Sequence, residues 1–538
     1  MNKKTVPFII AVPSLILLFV YRLLPAINTL ILSMKEYKLT LGLFNSPSVG
    51  LKNYTDLFNS VNFARLFGNT FRMSFFAILF TCFFAALLIL CISNMPNRIL
   101  KTIAIVIISI PAFIPVASFV GIIMRALSVG GGVFNQILLS FGAEPQPFLA
   151  DQEYFTLIFA FAEAIRNVYI PVIIGVLACE QKGANYDRIF TVILIYAFVR
   201  ATMFLSPDLE LLNMLSNPLI AGKADALDTY TYRTGLAQMS LSPSSAVWVV
   251  KTVVQLLVNI GLYFLLYFLL PELKGLVSTL TDKVNRKTSS IISIIGFFFV
   301  ALGSIGIAAG VFFPSLLGEY TSSFEGIRVV FSNTVFVSAI LNSLIYCLIS
   351  CIIYGFLTIT LAYPLTTKTK IYPLILLFVM TLTNNIVGEF VFFRNIGLFN
   401  NYFAVILQSS LSVIGAFGLH FSVSGKFENE VPTPSAYIKE ALLPLITIVG
   451  LFFVSTWGGY MAQLIYINNP RFFGIGFIMR DLMVKAGDIQ SQVAYDIETI
   501  RSAAILISSI IPASLGALLI CLNRILPLSA FSSQVRKG

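Results

Sequence analysis

The sequence predicts an all-α integral membrane protein that crosses the lipid bilayer about a dozen times. Three observations carry this: a composition too apolar for water, a succession of span-length apolar runs, and a basic stretch that divides those runs six and six. Of 538 residues, 57% are hydrophobic and 11% are charged, whereas a soluble domain carries about 25% charge. Mean hydropathy is +0.90, and 49 phenylalanines stand against 24 acidic residues in all. Most of the surface must therefore face something other than water, which excludes a soluble enzyme.

A bilayer core of about 30 Å needs roughly 20 apolar residues as a helix. Runs that meet this fall near 8–33, 74–94, 102–124, 155–178, 189–206, 245–270, 291–317, 339–363, 372–393, 402–420, 441–465 and 502–522. The first follows Met1-Asn-Lys-Lys4 and mimics a signal peptide. It is too long for one and closes on no small-x-small site, so it reads as an uncleaved span. With both termini in the cytoplasm, the inside segments hold about 17 of the 35 Lys and Arg in some 87 residues. That is more than twice the outside density, as expected for this orientation. The net charge of +11 is thus a topology signal, because no dense basic run or aromatic-interleaved patch points to nucleic acid. Lys274, Lys283, Arg286 and Lys287 mark 271–290 as a cytoplasmic linker between a first half, 1–270, and a second, 291–538.

The halves resemble each other. A shift of 273 residues aligns Phe58, Phe63 and Asn69-Thr70 with Phe331, Phe336 and Asn342-Ser343. Gly132-Val-Phe-Asn135 then meets Gly397-Leu-Phe-Asn400, and Asn217-Pro218 meets Asn469-Pro470, in the same order. Two parallel six-helix repeats follow from this.

Little catalytic chemistry is available. The six cysteines form no CxxC pair, Cys347 and Cys351 share a face as packing residues, and His420 is the single histidine. Metal-dependent hydrolysis lacks its ligands. Gly130-Gly-Gly132 lacks the Lys and Ser/Thr of a phosphate loop, and no Walker motif occurs. The chain is expected not to be an enzyme, and to bind no cofactor and no metal itself.

Ionisable groups at bilayer depth cost at least about 2.5–3.5 kcal/mol each, so each needs a partner or a task. Glu163 and Arg166, followed by Asn167, form either an i, i+3 ion pair or one wall of a translocation path. Asn384, Asn385 and Glu389 in the ninth span are either path residues, since amides and carboxylates bind sugar hydroxyls, or interhelical hydrogen-bonding residues. Arg200 is a further path candidate, unless it snorkels to the interface as Lys251 is expected to do. Arg22 reads as a packing or interfacial residue.

Several stretches resemble the permeases of bacterial binding-protein-dependent ABC importers for carbohydrates. The first half is similar to the LplB type through Met34-Lys-Glu-Tyr37, Val49-Gly-Leu-Lys-Asn-Tyr54, Phe148-Leu-Ala-Asp151 and Thr229-Tyr-Thr-Tyr-Arg-Thr-Gly235. The second is similar to the YtcP type through Leu341-Asn-Ser-Leu344, Leu361-Ala-Tyr-Pro-Leu365, Asn395-Ile-Gly-Leu398 and the closing Val535-Arg-Lys-Gly538. The resemblance implies a fused pair of type I importer permease halves in a bacterial plasma membrane, importing a carbohydrate of the oligosaccharide class by alternating access. It also implies two ABC ATPase subunits carrying ATP and Mg at the cytoplasmic face, and an extracellular lipid-anchored solute-binding protein.

In that family a cytoplasmic loop after the fourth span of each half docks on the ATPase. The matching positions are Glu180, Lys182, Gly183, Ala184 and Asn185 in the first half, where Leu177 and Lys182 replace the usual Glu and Asp. In the second they are Glu428, Asn429 and Glu430, followed by Pro432 and Pro434. A secondary solute transporter using Glu163 or Glu389 for proton coupling, or a non-transporting scaffold or sensor derived from a permease, are the alternatives.

Overall fold

The computed structural model describes residues 5–95, 97–180, 186–281, 298, 302, 306, 323–427, 430–488 and 494–525. The fold is all-α; among the described residues the only β contact is an isolated bridge between Lys35 and Ser48. Six helices are each long and apolar enough to cross a membrane, and four bent helix pairs bring the number to ten if each pair is one span. Of the dozen expected, the fifth is represented by the shorter apolar stretch Ile189–Ala201. The seventh, 291–317, lies almost wholly outside the described residues, as does most of the linker beyond residue 281.

The first span is α1 (Val6–Leu18) and α2 (Leu24–Ser33), joined by a π turn at Phe19–Leu23. Pro25 explains the wide turn, because a proline lacks an N–H and its ring crowds the carbonyl four residues back. The second span is α3 (Val61–Ser93), which begins thirteen residues earlier than its apolar run suggested. Third comes α4 (Arg98–Phe113) with α5 (Val116–Ala126), bent by 96° where Pro111 and Pro115 break the hydrogen-bond ladder. The fourth is α6 (Gln152–Asn167) with α7 (Tyr169–Glu180), bent by 44°. Then follow α8 (Tyr186–Ala201), the short α9 (Leu209–Leu215) and the long α10 (Leu241–Thr281).

The second half runs through the same sequence of shapes. A straight span, α11 (Thr334–Ala362), precedes α12 (Ile371–Thr381) and α13 (Ile386–Asn395), which meet at 86°. Next are α14 (Tyr402–Ser410) and α15 (Ile414–Val423), again bent by 44°. The series ends with α16 (Pro434–Trp457), the short α17 (Met461–Tyr466), α18 (Ile475–Asp488) and α19 (Ala494–Ile525).

Of the motifs that aligned the halves, Asn69-Thr70 and Asn342-Ser343 hold equivalent joints. Asn69 donates its amide to the carbonyls of Gly222 and Asp225, while Asn342 donates to those of Arg471 and Phe473. The neighbouring hydroxyls match as well: Thr70 accepts the Leu227 N–H, and Ser343 accepts the Ile475 N–H. Each pair pins the segment after the fifth span of its half to the second span.

The first span does not stay with its own half. Leu18 is buried in a cluster with Leu357, Leu361, Tyr363 and Phe392, and the Ser14 and Thr360 hydroxyls share a 2.5 Å hydrogen bond. Close approach of α2 to α13 depends on Gly388. A methyl there would lie 1.9 Å from Thr29 Oγ1 and 2.6 Å from the Pro25 carbonyl oxygen. Overpacking of this kind costs about 1–3 kcal/mol. Gly388→Ala should therefore lower the melting temperature in detergent by several degrees. Gly130→Ala, which meets open space, should leave it unchanged; equal melting of the two variants would place the α2–α13 contact elsewhere.

Candidate functional site

A cavity of about 440 Å³ lies between the halves, lined on one side by residues from Glu163 to Glu210 and on the other by residues from Ser343 to Tyr466. Its volume is in the usual range for small-ligand sites, ~300–1,000 Å³. The walls are where helices stop. Ser206–Asp208 lies in the gap between α8 and α9, Asn384 in the bend between α12 and α13, and Gly459 in the gap between α16 and α17. Non-helical backbone at membrane depth is tolerated where it lines a cavity.

Of the path residues expected from sequence, Glu163, Asn167, Arg200, Asn384 and Glu389 line this cavity, and Arg166 and Asn385 do not. Glu163, Asn385 and Glu389 are nonetheless all at most 2% exposed, facing protein and not lipid.

The ion pairing differs from the sequence expectation. Glu163 does not pair with Arg166. Its Oε1 accepts from Arg200, which is thereby held in the fold and does not snorkel. Arg166 donates to the carbonyls of Pro111 and Ile114 at 3.2 and 2.9 Å and lies over the Phe119 ring. It serves the carbonyls that the α4–α5 proline bend leaves unbonded. Arg22, expected at a packing or interfacial position, is buried and pairs with Glu389. Its remaining donors reach the carbonyls of Leu411 and Gln408. Lys251 also does not snorkel: it is buried against Asp228, whose second oxygen accepts from Asn384 at 3.0 Å. Spacing along one helix suggested i, i+3 partners, but all three pairs join different elements, which no local pattern reveals.

Asn384 and Asn385 take opposite roles. Asn384 has φ +55°, a left-handed conformation that Asn tolerates, and turns its amide to the cavity edge. Asn385 caps α13, accepting the Gly388 N–H at 3.2 Å and the Thr29 hydroxyl at 2.8 Å.

Sequence reasoning missed Asp208, Glu210, Gln408, Gln463, Tyr346 and Trp457, all of which line the cavity. Glu210 accepts the backbone N–H groups of Tyr460 and Met461 at 2.9 and 2.8 Å, so a carboxylate of one half caps α17 of the other. Burial pushes its carboxyl up to about 7, against the pull of those N–H groups. Among the described residues no hydrogen bond reaches Glu163 Oε2, which leaves an acceptor at the cavity wall. Glu180 ends α7 and Glu430 is exposed. The other coupling-loop candidates, Lys182, Gly183, Ala184, Asn185, Glu428 and Asn429, lie outside the described residues.

Over 272 residues the chain is 27% identical to the polygalacturonan/rhamnogalacturonan transport system permease protein YteP of Bacillus subtilis (strain 168), covering 46% of this chain and 84% of that one. With protein LplB of the same organism it shares 26% over 274 residues, 47% of this chain and 86% of LplB. With the permease protein YtcP of the same named transport system it shares 23% over 213 residues, 35% and 74% of the two chains. Its homologues are carbohydrate ABC transporter permeases. The matches are partial and fall on both halves. Two solved structures of a bacterial alginate ABC transporter, one in complex with an alginate pentasaccharide-bound periplasmic protein, are 22% identical with TM-scores of 0.42 and 0.41. The matches cover 48% and 47% of this chain and 93% and 92% of those chains. No protein-family model matches the sequence.

Asn385→Leu separates capping from substrate contact. It keeps the bulk and removes both hydrogen bonds, and losing a helix cap costs about 1 kcal/mol. The variant is expected to melt several degrees lower in detergent. Unchanged melting would show that the Asn385 bonds hold nothing.

Proposed function

We propose that this chain is a permease of an ABC importer for an oligosaccharide, with two halves of the pore in one polypeptide. The observation that carries the reading is the polar cavity between the halves. There Glu163, Arg200, Asn384 and Glu389, distant in sequence, converge with Gln408, Gln463, Tyr346 and Trp457. Amide and carboxylate groups beside aromatic rings match the hydroxyls and apolar faces of sugars. The relatives' named role in carbohydrate transport supports it.

The cavity exchanges sides as the halves rock about it. The first span would act as a strap, since α1 and α2 pack on the second half and link its motion to the first. Two ATPase subunits would supply the force through the loops at 180–185 and 428–430. An extracellular solute-binding protein would deliver substrate to the opposite face. The basic linker and both termini would lie in the cytoplasm, in keeping with the density of Lys and Arg there. Broken helices alone would also suit a secondary transporter. However, Glu163 and Glu389, the carboxylates that proton coupling would use, are each neutralised by an arginine.

The reading is tested by purifying the chain gently from its native membrane. An ABC ATPase should co-purify with it; recovery with none would contradict the proposal. In the complete transporter, Gln408→Leu should lower oligosaccharide uptake at least tenfold at equal membrane abundance and unchanged melting. Uptake equal to the unaltered protein would move the path away from this cavity.

A further inference from the structure

We propose that the cavity admits uncharged oligosaccharides and excludes uronate-containing ones, with Asp208 and Glu210 setting that choice. This rests on the carbohydrate reading above and adds the charge class of the substrate.

Charge at the cavity wall is strongly one-sided. Four carboxylates line it, Glu163, Asp208, Glu210 and Glu389, against one guanidinium, Arg200. Arg200 is committed to Glu163. Arg22 sits outside the lining, holding Glu389 and two backbone carbonyls. Arg166 is within Coulomb range of Asp208 and Glu210, but its hydrogen bonds go to Pro111 and Ile114. Asp208 and Glu210 form no ion pair among the described residues. Each spends an oxygen on backbone: Asp208 accepts the Leu211 N–H at 3.0 Å, and Glu210 those of Tyr460 and Met461.

A uronate entering this space would shed water from its carboxylate and find no uncommitted guanidinium to replace it. It would also face two like charges. The hydroxyls of an uncharged sugar lose little by comparison, since the Gln408 amide and the Asn384 amide oxygen at the cavity wall can exchange hydrogen bonds with them. Rejection by unpaired like charge is an effective route to specificity.

The isosteric changes Asp208→Asn and Glu210→Gln keep the oxygens that accept those backbone N–H groups, so both helix starts retain their caps. The test uses the full chain in lipid nanodiscs at pH 8, above the value of about 7 for Glu210. Binding of labelled galactose and galacturonate tetrasaccharides of the same linkage is compared. The galacturonate form should bind at least tenfold more weakly, and the double variant should close that gap at least threefold. Equal or tighter galacturonate binding by the unaltered chain overturns the charge selection while the carbohydrate reading stands. Binding of neither saccharide removes the carbohydrate reading and this inference with it.

A reporter independent of any sugar gives a second measurement. Ser455 is exposed and lines the cavity. Ser455→Cys should react several-fold faster with a cationic methanethiosulfonate than with an anionic one, above the background of the native cysteines. Equal rates, or faster anionic labelling, would contradict an acidic cavity.

Discussion

An ionised side chain within a bilayer must bring its counter-charge with it, and among the described residues the interior is arranged around three places where that happens. Glu163 and Arg200 join α6 to α8, Arg22 and Glu389 join the first span to the second half, and Lys251 and Asp228 join α10 to the segment before it. Two of these pairs also fix a neighbour at the cavity. The Arg22 guanidinium also holds the carbonyls of Gln408 and Leu411, where α14 stops, and Asp228 holds the amide of Asn384. A buried pair is no strong source of stability, because desolvation offsets much of the Coulomb gain. Its value here is positional, since a broken pair leaves a bare charge.

The helix breaks follow the same logic. A span interrupted inside a membrane exposes backbone groups that need partners. Arg166 supplies them at the α4–α5 bend, Asn385 at the start of α13, and Glu210 at the start of α17. Polar side chains near the cavity therefore divide into those that finish broken helices and those whose groups remain available to a substrate. Glu163 Oε2, the Gln408 amide and the amide oxygen of Asn384 stand closest to the second description.

Much of this was legible in the sequence. Apolar run length marked most of the membrane-crossing helices, although bends turned four of the runs into helix pairs, at prolines between α4 and α5 and at Asn384 and Asn385 between α12 and α13. The internal repeat was legible because Asn69-Thr70 and Asn342-Ser343 pin equivalent loops with the same atoms, which constrains residue type at both positions. Five of the seven polar residues singled out within apolar runs line the cavity, because an ionisable or amide group in an apolar helix is conspicuous. Their partners were not. Arg22 and Glu389 are 367 positions apart, and only the crossing of the first span onto the other half brings them together. Asp208 and Glu210 escaped notice because they sit in an ordinary-looking polar stretch between apolar runs, which reads as an exposed loop until the fold buries it.

The claim on which this account depends is that the first span is fastened to the second half by Arg22 and Glu389. A double-mutant cycle tests it most directly, with melting of Arg22→Met, Glu389→Gln and the combined variant followed in detergent. Removing one member of a buried pair costs about 3–5 kcal/mol, whereas removing both leaves no bare charge. The combined variant should therefore be clearly more stable than the sum of the single losses implies. Strictly additive losses would show that the two side chains do not meet, and would contradict the crossing.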